Sequence, residues 1–101
     1  MTSIDLRAEA NLILAAHARR ATLSPITDRA DLPLADAYAI QALLTEARVE
    51  RGERVLGWKL GYTSLVMRRQ MGIASPNFGP LTDAMLLSSG SAVPVSLRSE
   101  R

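Results

Sequence analysis

Lys59 is the only lysine in the chain; the other eleven basic residues are arginines. An arginine keeps its proton inside a protein, whereas a partly buried lysine can release one. Gly57 and Gly61 stand two residues before and two after it, in the run Gly57-Trp58-Lys59-Leu60-Gly61. In a strand these three residues share a face, and glycine weakens a strand unless something must approach the backbone there. If Trp58 and Leu60 pin the opposite face in a core, the amine is held rigidly with open space on both sides. That is the presentation a proton-transfer lysine needs. The same pattern also fits a solvated lysine beside glycines that serve a turn.

Two further features adjoin it. Gly61-Tyr62-Thr63-Ser64 reads as a strand-to-helix junction. Free backbone N–H groups at a helix start can take a carboxylate, so Gly61, Thr63 and Ser64 are candidate substrate-binding positions; an ordinary capped helix is the alternative. Asp83 is the only acid between Glu53 and Glu100, in a stretch carrying Arg54, Lys59, Arg68, Arg69 and Arg98. Its isolation suggests a pairing with Lys59 or with an arginine, either to move protons or to balance charge. A region so weighted toward positive charge suits a small anionic ligand. Arg68 and Arg69 read as ordinary cations near a helix end, and His17 as a surface or half-buried histidine. No Walker loop, dinucleotide glycine motif or Ser-His-Asp arrangement occurs.

The elements that must position these residues are legible from spacing. Leu6, Ala10, Ile13 and Leu14 recur three and four apart and predict a helix over about 4–20, capped by Ser3 or Asp5, with His17 next on that face. Pro25 and Pro33 predict a loop. A second stripe, including Leu34, Ala37, Tyr38, Gln41 and Leu44, predicts a helix over about 34–51, stopped at Gly52. From Val55 to Tyr62 the period changes to two, which predicts a strand over 55–62. A short helix over 65–71 follows, capped by Thr63 or Ser64 and ended by Gly72. Residues 75–80 read as a Pro/Gly/Asn loop, with short strands expected at about 81–87 and 92–96, the latter at an edge because of Pro94. The plan is α+β: two helices, then a small mixed β region.

At 101 residues the chain is bounded to one domain. With 48% hydrophobic and 22% charged residues it reads as globular, soluble and cytoplasmic. It lacks cysteine, which excludes disulfides and thiolate metal sites. No apolar run approaches the roughly 18 residues of a membrane span, and Asp5, Arg7 and Glu9 interrupt any signal-like start. The net charge is only +2 and the basic residues are scattered, so no nucleic-acid partner is expected.

The run Val55-Leu-Gly-Trp-Lys-Leu-Gly-Tyr-Thr-Ser64, followed by Gln70-Met-Gly-Ile73, Pro76-Asn-Phe-Gly79 and Leu81-Thr-Asp-Ala-Met85, resembles the 2-keto-4-pentenoate hydratase and 4-oxalocrotonate decarboxylase family of the fumarylacetoacetate hydrolase superfamily. Ala37-Tyr-Ala-Ile-Gln41 matches as well, and the likeness covers roughly residues 5–96. The resemblance implies a hydro-lyase of aromatic-compound degradation acting on 2-hydroxypenta-2,4-dienoate. The alternative it implies is a decarboxylase of 2-oxohex-3-enedioate. It implies Mg or Mn as the Lewis acid, a small anionic 2-oxo acid as substrate, Lys59 as the residue moving protons during ketonisation, and Asp83 assisting it. It also implies metal-holding glutamates downstream of this segment. Only Glu100 follows Asp83 here, so the expectation is an N-terminal portion without a complete metal site or the C-terminal catalytic β domain, inactive alone. A homo-oligomer, or a non-catalytic part beside a longer family member, follows as a further expectation.

Overall fold

A computed structural model describes residues 4–93. Two compact units are present: residues 4–47 together with 88–93, and Arg48–Leu87.

In the first unit, helix α1 spans Leu6–Arg19. Asp5 is its N-cap, accepting the Ala8 N–H at 3.1 Å and so satisfying one of the free donors of the first turn. At the other end Arg20 turns left-handed (φ 53°) and the Ala21 N–H closes on the Ala16 carbonyl at 2.9 Å. Helix α2, Leu34–Glu50, starts directly after Pro33, whose carbonyl accepts the Ala37 N–H at 3.0 Å. It stops where Gly52 takes a φ of 99°. Ala10, Ala16 and Ile40 are the buried apolar residues among those described. Leu6, Ile13 and Leu14 of the α1 stripe are half-buried, and His17 is exposed.

Glu9 sits among these residues, and its carboxylate accepts two hydrogen bonds from the Arg29 guanidinium, at 2.9 and 2.7 Å. Those bonds hold its carboxyl below the usual range; the guanidinium charge adds to them, and partial burial opposes them. A lowered folded pKa stabilises above the unfolded value, and the contribution disappears as pH falls through the folded value. Thermal midpoints of the chain should therefore fall more steeply below about pH 4.3 than those of Glu9→Gln. Parallel curves from pH 6 to 3 would remove the pair from the stability account.

In the second unit, strand β1 (Val55–Gly61) pairs antiparallel with β2 (Asn77–Thr82), and helix α3 (Leu65–Met71) lies between them in sequence. The register sets Trp58 opposite Pro80 and Leu60 opposite Phe78 on one face, and Lys59 opposite Gly79 and Gly61 opposite Asn77 on the other. A bulge interrupts the ladder between Val55 and Gly57.

The second strand lies at 77–82, not 81–87: residues 77–80, read as loop, pair with β1, and a 3-10 turn at Asp83–Met85 ends the strand. Pro, Gly and Asn marked a turn by composition, but β2 has a strand on one side only, where Pro80 is tolerated. Residues 92 and 93 form no strand, and 94–96 lie outside the described residues. Trp58 and Leu60 are 57% and 65% exposed rather than pinned in a core. Trp58 packs edge-on against Phe78 at 5.6 Å, and no apolar side chain of this unit is buried among the described residues.

Candidate functional site around Lys59

Lys59 stands near the middle of β1, exposed, on the face it shares with Gly57, Gly61 and Gly79. The strand period places it there, and the three glycines leave the face open around the amine, with Leu81 opposite Gly57 at one end and Asn77 opposite Gly61 at the other. A side chain at Gly57 would meet nothing within 4 Å, so the Gly57 side is open. At Gly61 a Cβ would overlap Oδ1 of Asn77, so what approaches that backbone is this chain's own amide group. Asn77 thus borders the lysine face. Its segment has the composition of a loop, and only the pairing of Gly61 with Asn77 places it on this face.

Asp83 is placed elsewhere. Its Oδ1 accepts the Arg54 backbone N–H at 3.0 Å, its own N–H donates to the Arg54 carbonyl at 3.0 Å, and its Oδ2 lies 3.8 Å from Arg54 Nε. The arginine pairing is the one that forms, and it ties the entry of β1 to the exit of β2. Val55 faces Thr82 while Lys59 faces Gly79, so Asp83 lies about four strand residues, roughly 13 Å, along the ladder from Lys59. The two are not brought together. At the Asp83 end, Leu56, Gly57, Leu81, Thr82, Met85 and Leu86 line an open apolar pocket of about 220 Å³.

The Gly61–Ser64 junction forms as a turn. Tyr62 has a φ of 54°, and Ser64 caps α3 by accepting the Met67 N–H at 3.3 Å. Thr63 and Ser64 are exposed. Arg68, read from sequence as a helix-end cation, folds back: Nη1 donates to the carbonyls of Tyr62 at 2.9 Å and Thr63 at 3.0 Å. Thr82, the buried residue of β2, donates its hydroxyl to Glu53 at 2.6 Å. Neither contact had a sequence signal. Among the described residues no cluster of three or more His, Asp or Glu is placed to hold a metal, and no helix is long and apolar enough to cross a membrane.

No family model matches the chain. Over 79 residues it is 44% identical to the 2-hydroxypent-2,4-dienoate hydratase of Pseudomonas putida, covering 77% of this chain and 36% of that protein. It is 40% identical over 76 residues to a 2-keto-4-pentenoate hydratase of Paraburkholderia xenovorans (strain LB400), covering 74% and 28%. Among solved structures it resembles 4-oxalocrotonate decarboxylase from Pseudomonas putida G7 complexed with magnesium and adipate, with a TM-score of 0.71 and 30% identity over 83% of this chain and 32% of that one. The same enzyme complexed with calcium and acetate gives the same TM-score. The chain spans about a third of the length of the curated relatives it matches.

Proposed function

Because the chain belongs to the 2-keto-4-pentenoate hydratase and 4-oxalocrotonate decarboxylase family, we propose that it carries the proton-transfer lysine of a hydratase acting on 2-hydroxypenta-2,4-dienoate or a close 2-hydroxy-dienoate. One observation carries this reading. A 79-residue match to a dienoate hydratase, wherever it begins in 101 residues, must include all of β1 and Lys59.

In this reading the Lys59 ammonium gives a proton to the terminal carbon of the bound dienol while the 2-hydroxyl proton leaves and returns to the amine, giving the conjugated 2-oxo acid; water then adds across the remaining double bond, its hydroxyl to C4 and its proton to C3. The glycine face leaves room for a flat, conjugated acid, with Asn77 at its border and Thr63 and Ser64 beyond Gly61. Asp83 holds the ladder end through Arg54; at roughly 13 Å from Lys59 along the ladder it supports the strand and takes no direct part in the proton transfer. A divalent metal supplies Lewis-acid polarisation of a 2-oxo group when one is bound. The described residues offer no ligand set for it. Decarboxylation of 2-oxohex-3-enedioate is the alternative chemistry, and parallel ultraviolet assays of the two substrates separate them.

A second reading, as a non-catalytic partner of a longer family member, is favoured by the ribbon's apolar face. Leu56, Trp58 and Leu60 are each more than half exposed, and contiguous apolar patches of that kind mark interaction surfaces. Co-purification with a full-length family hydratase is its check.

The singularity of Lys59 makes the main reading directly testable. Protein labelled with ¹³C-lysine gives the signal of one lysine side chain. Titration with a 2-oxo acid such as 2-oxopentanoate should move that resonance saturably. A resonance that stays in place through millimolar ligand counts against the site.

A further inference from the structure

The chain leaves β1 through a conformation that a tyrosine seldom adopts. Tyr62 has a φ of 54°, in the left-handed region where a bulky side chain is strained and persists only if its surroundings hold it. What holds it comes from α3. The Arg68 guanidinium reaches back along the helix and Nη1 bonds both turn carbonyls, Tyr62 and Thr63. Arg68 is itself anchored at both ends of its backbone: its N–H donates to the Ser64 carbonyl at 3.0 Å, and its carbonyl accepts the Ile73 N–H at 2.8 Å beside the left-handed Gly72. A half-buried side chain, fixed at its base and spent on two adjacent carbonyls, is in a different situation from a solvated cation. It also lies on the short path from Lys59, since Gly61, whose backbone takes the close approach of Asn77, is the residue next to Tyr62.

We propose that Arg68 is a positioning residue for Lys59: by clamping the left-handed Tyr62 turn it fixes the end of β1, and with it the Gly61–Asn77 border of the lysine face. Its consequence for catalysis rests on the reading of Lys59 given above; the clamp itself needs no substrate to be tested.

The test is a double-mutant cycle in the whole chain with Arg68→Met and Tyr62→Gly, alone and together, and Arg68→Lys as the variant that keeps a donor. Two quantities are read: hydrogen exchange of the Met67 amide, which Ser64 caps, and the single ¹³C-lysine resonance of Lys59. Arg68→Met is expected to speed Met67 exchange about tenfold or more and to displace the Lys59 resonance. Adding Tyr62→Gly should return both toward their original values, because glycine holds the left-handed turn without a clamp. Arg68→Lys should lie between wild type and Arg68→Met. If Arg68→Met does not fold, recovery of folding by Tyr62→Gly supports the clamp, and failure to recover overturns it. Additive effects overturn it, as does faster exchange with an unmoved lysine resonance. A positive cycle in a protein whose Lys59→Met variant keeps full turnover would leave the clamp standing and remove only the catalytic reading of Lys59.

Discussion

On the proposed hydratase reading, Lys59→Met should lower turnover of 2-hydroxypenta-2,4-dienoate by about 10²–10⁴-fold, the range of a lost general acid. Folding should be unaffected. Lys59 is exposed, lies opposite a glycine and has no side chain beside it on its own face of β1. Substitutions at such surface positions usually change stability by no more than about 0.5 kcal/mol. Methionine keeps the unbranched stem and removes only the amine. Lys59→Arg should not restore the rate, because a guanidinium keeps the charge but does not hand over its proton. If charge alone were the contribution, by holding an anionic substrate, arginine would recover most of the activity and the defect in methionine would appear in KM. Steady-state kinetics of the three proteins, with circular dichroism melts alongside, decide between these outcomes. A methionine variant within about twofold of wild-type turnover would end the proton-transfer assignment.

Thr82→Val should be the most damaging single change to the stability of the ribbon. Thr82 is 2% exposed, the most deeply buried residue of its unit, and its hydroxyl donates to Glu53 Oε1 at 2.6 Å. The bond joins residues on either side of the ladder, just before β1 and at the end of β2. Valine fills the same volume but cannot donate, and it leaves the Glu53 carboxylate, 19% exposed at its side chain, short of a partner. Hydrogen bonds to charged groups contribute about 1.5–3 kcal/mol, which for a domain this size corresponds to a fall of roughly 10 °C in melting temperature. Arg51, at 3.6 Å on the other carboxylate oxygen, limits the loss without replacing the bond. Glu53→Gln should cost less, since its amide oxygen still accepts from the hydroxyl. Equal stability of Thr82→Val and wild type in urea melts would show that Glu53 rehydrates freely and that the ladder is closed by Arg54 and Asp83 instead.

These two residues mark the division between what the sequence holds and what it does not. The helices and β1 are legible because their determinants are neighbours in the chain. Asp5 and Ser64 cap amides three residues on, Gly72 ends α3 through carbonyls three and four residues back, and the alternation of Val55–Tyr62 declares a strand with Lys59 on its glycine face. The lysine's strand and face, the short helix after it and the α+β order are determined at that level, because each rests on hydrogen bonds spanning a few residues.

Contacts between distant residues were not legible. Thr82 with Glu53, and Asp83 with Arg54, join positions 29 apart, and nothing in either local pattern names the other. The strand character of Asn77–Thr82 comes from pairing with β1, against a composition that favours a loop. The exposure of Trp58 and Leu60 likewise depends on what else packs there, and alternation shows only that two faces exist. The tertiary structure alone decided that Asp83 serves Arg54, that Asn77 borders the lysine face and that Arg68 holds the turn beyond it, because a side chain's partner is set by which distant backbone folding brings within about 3 Å.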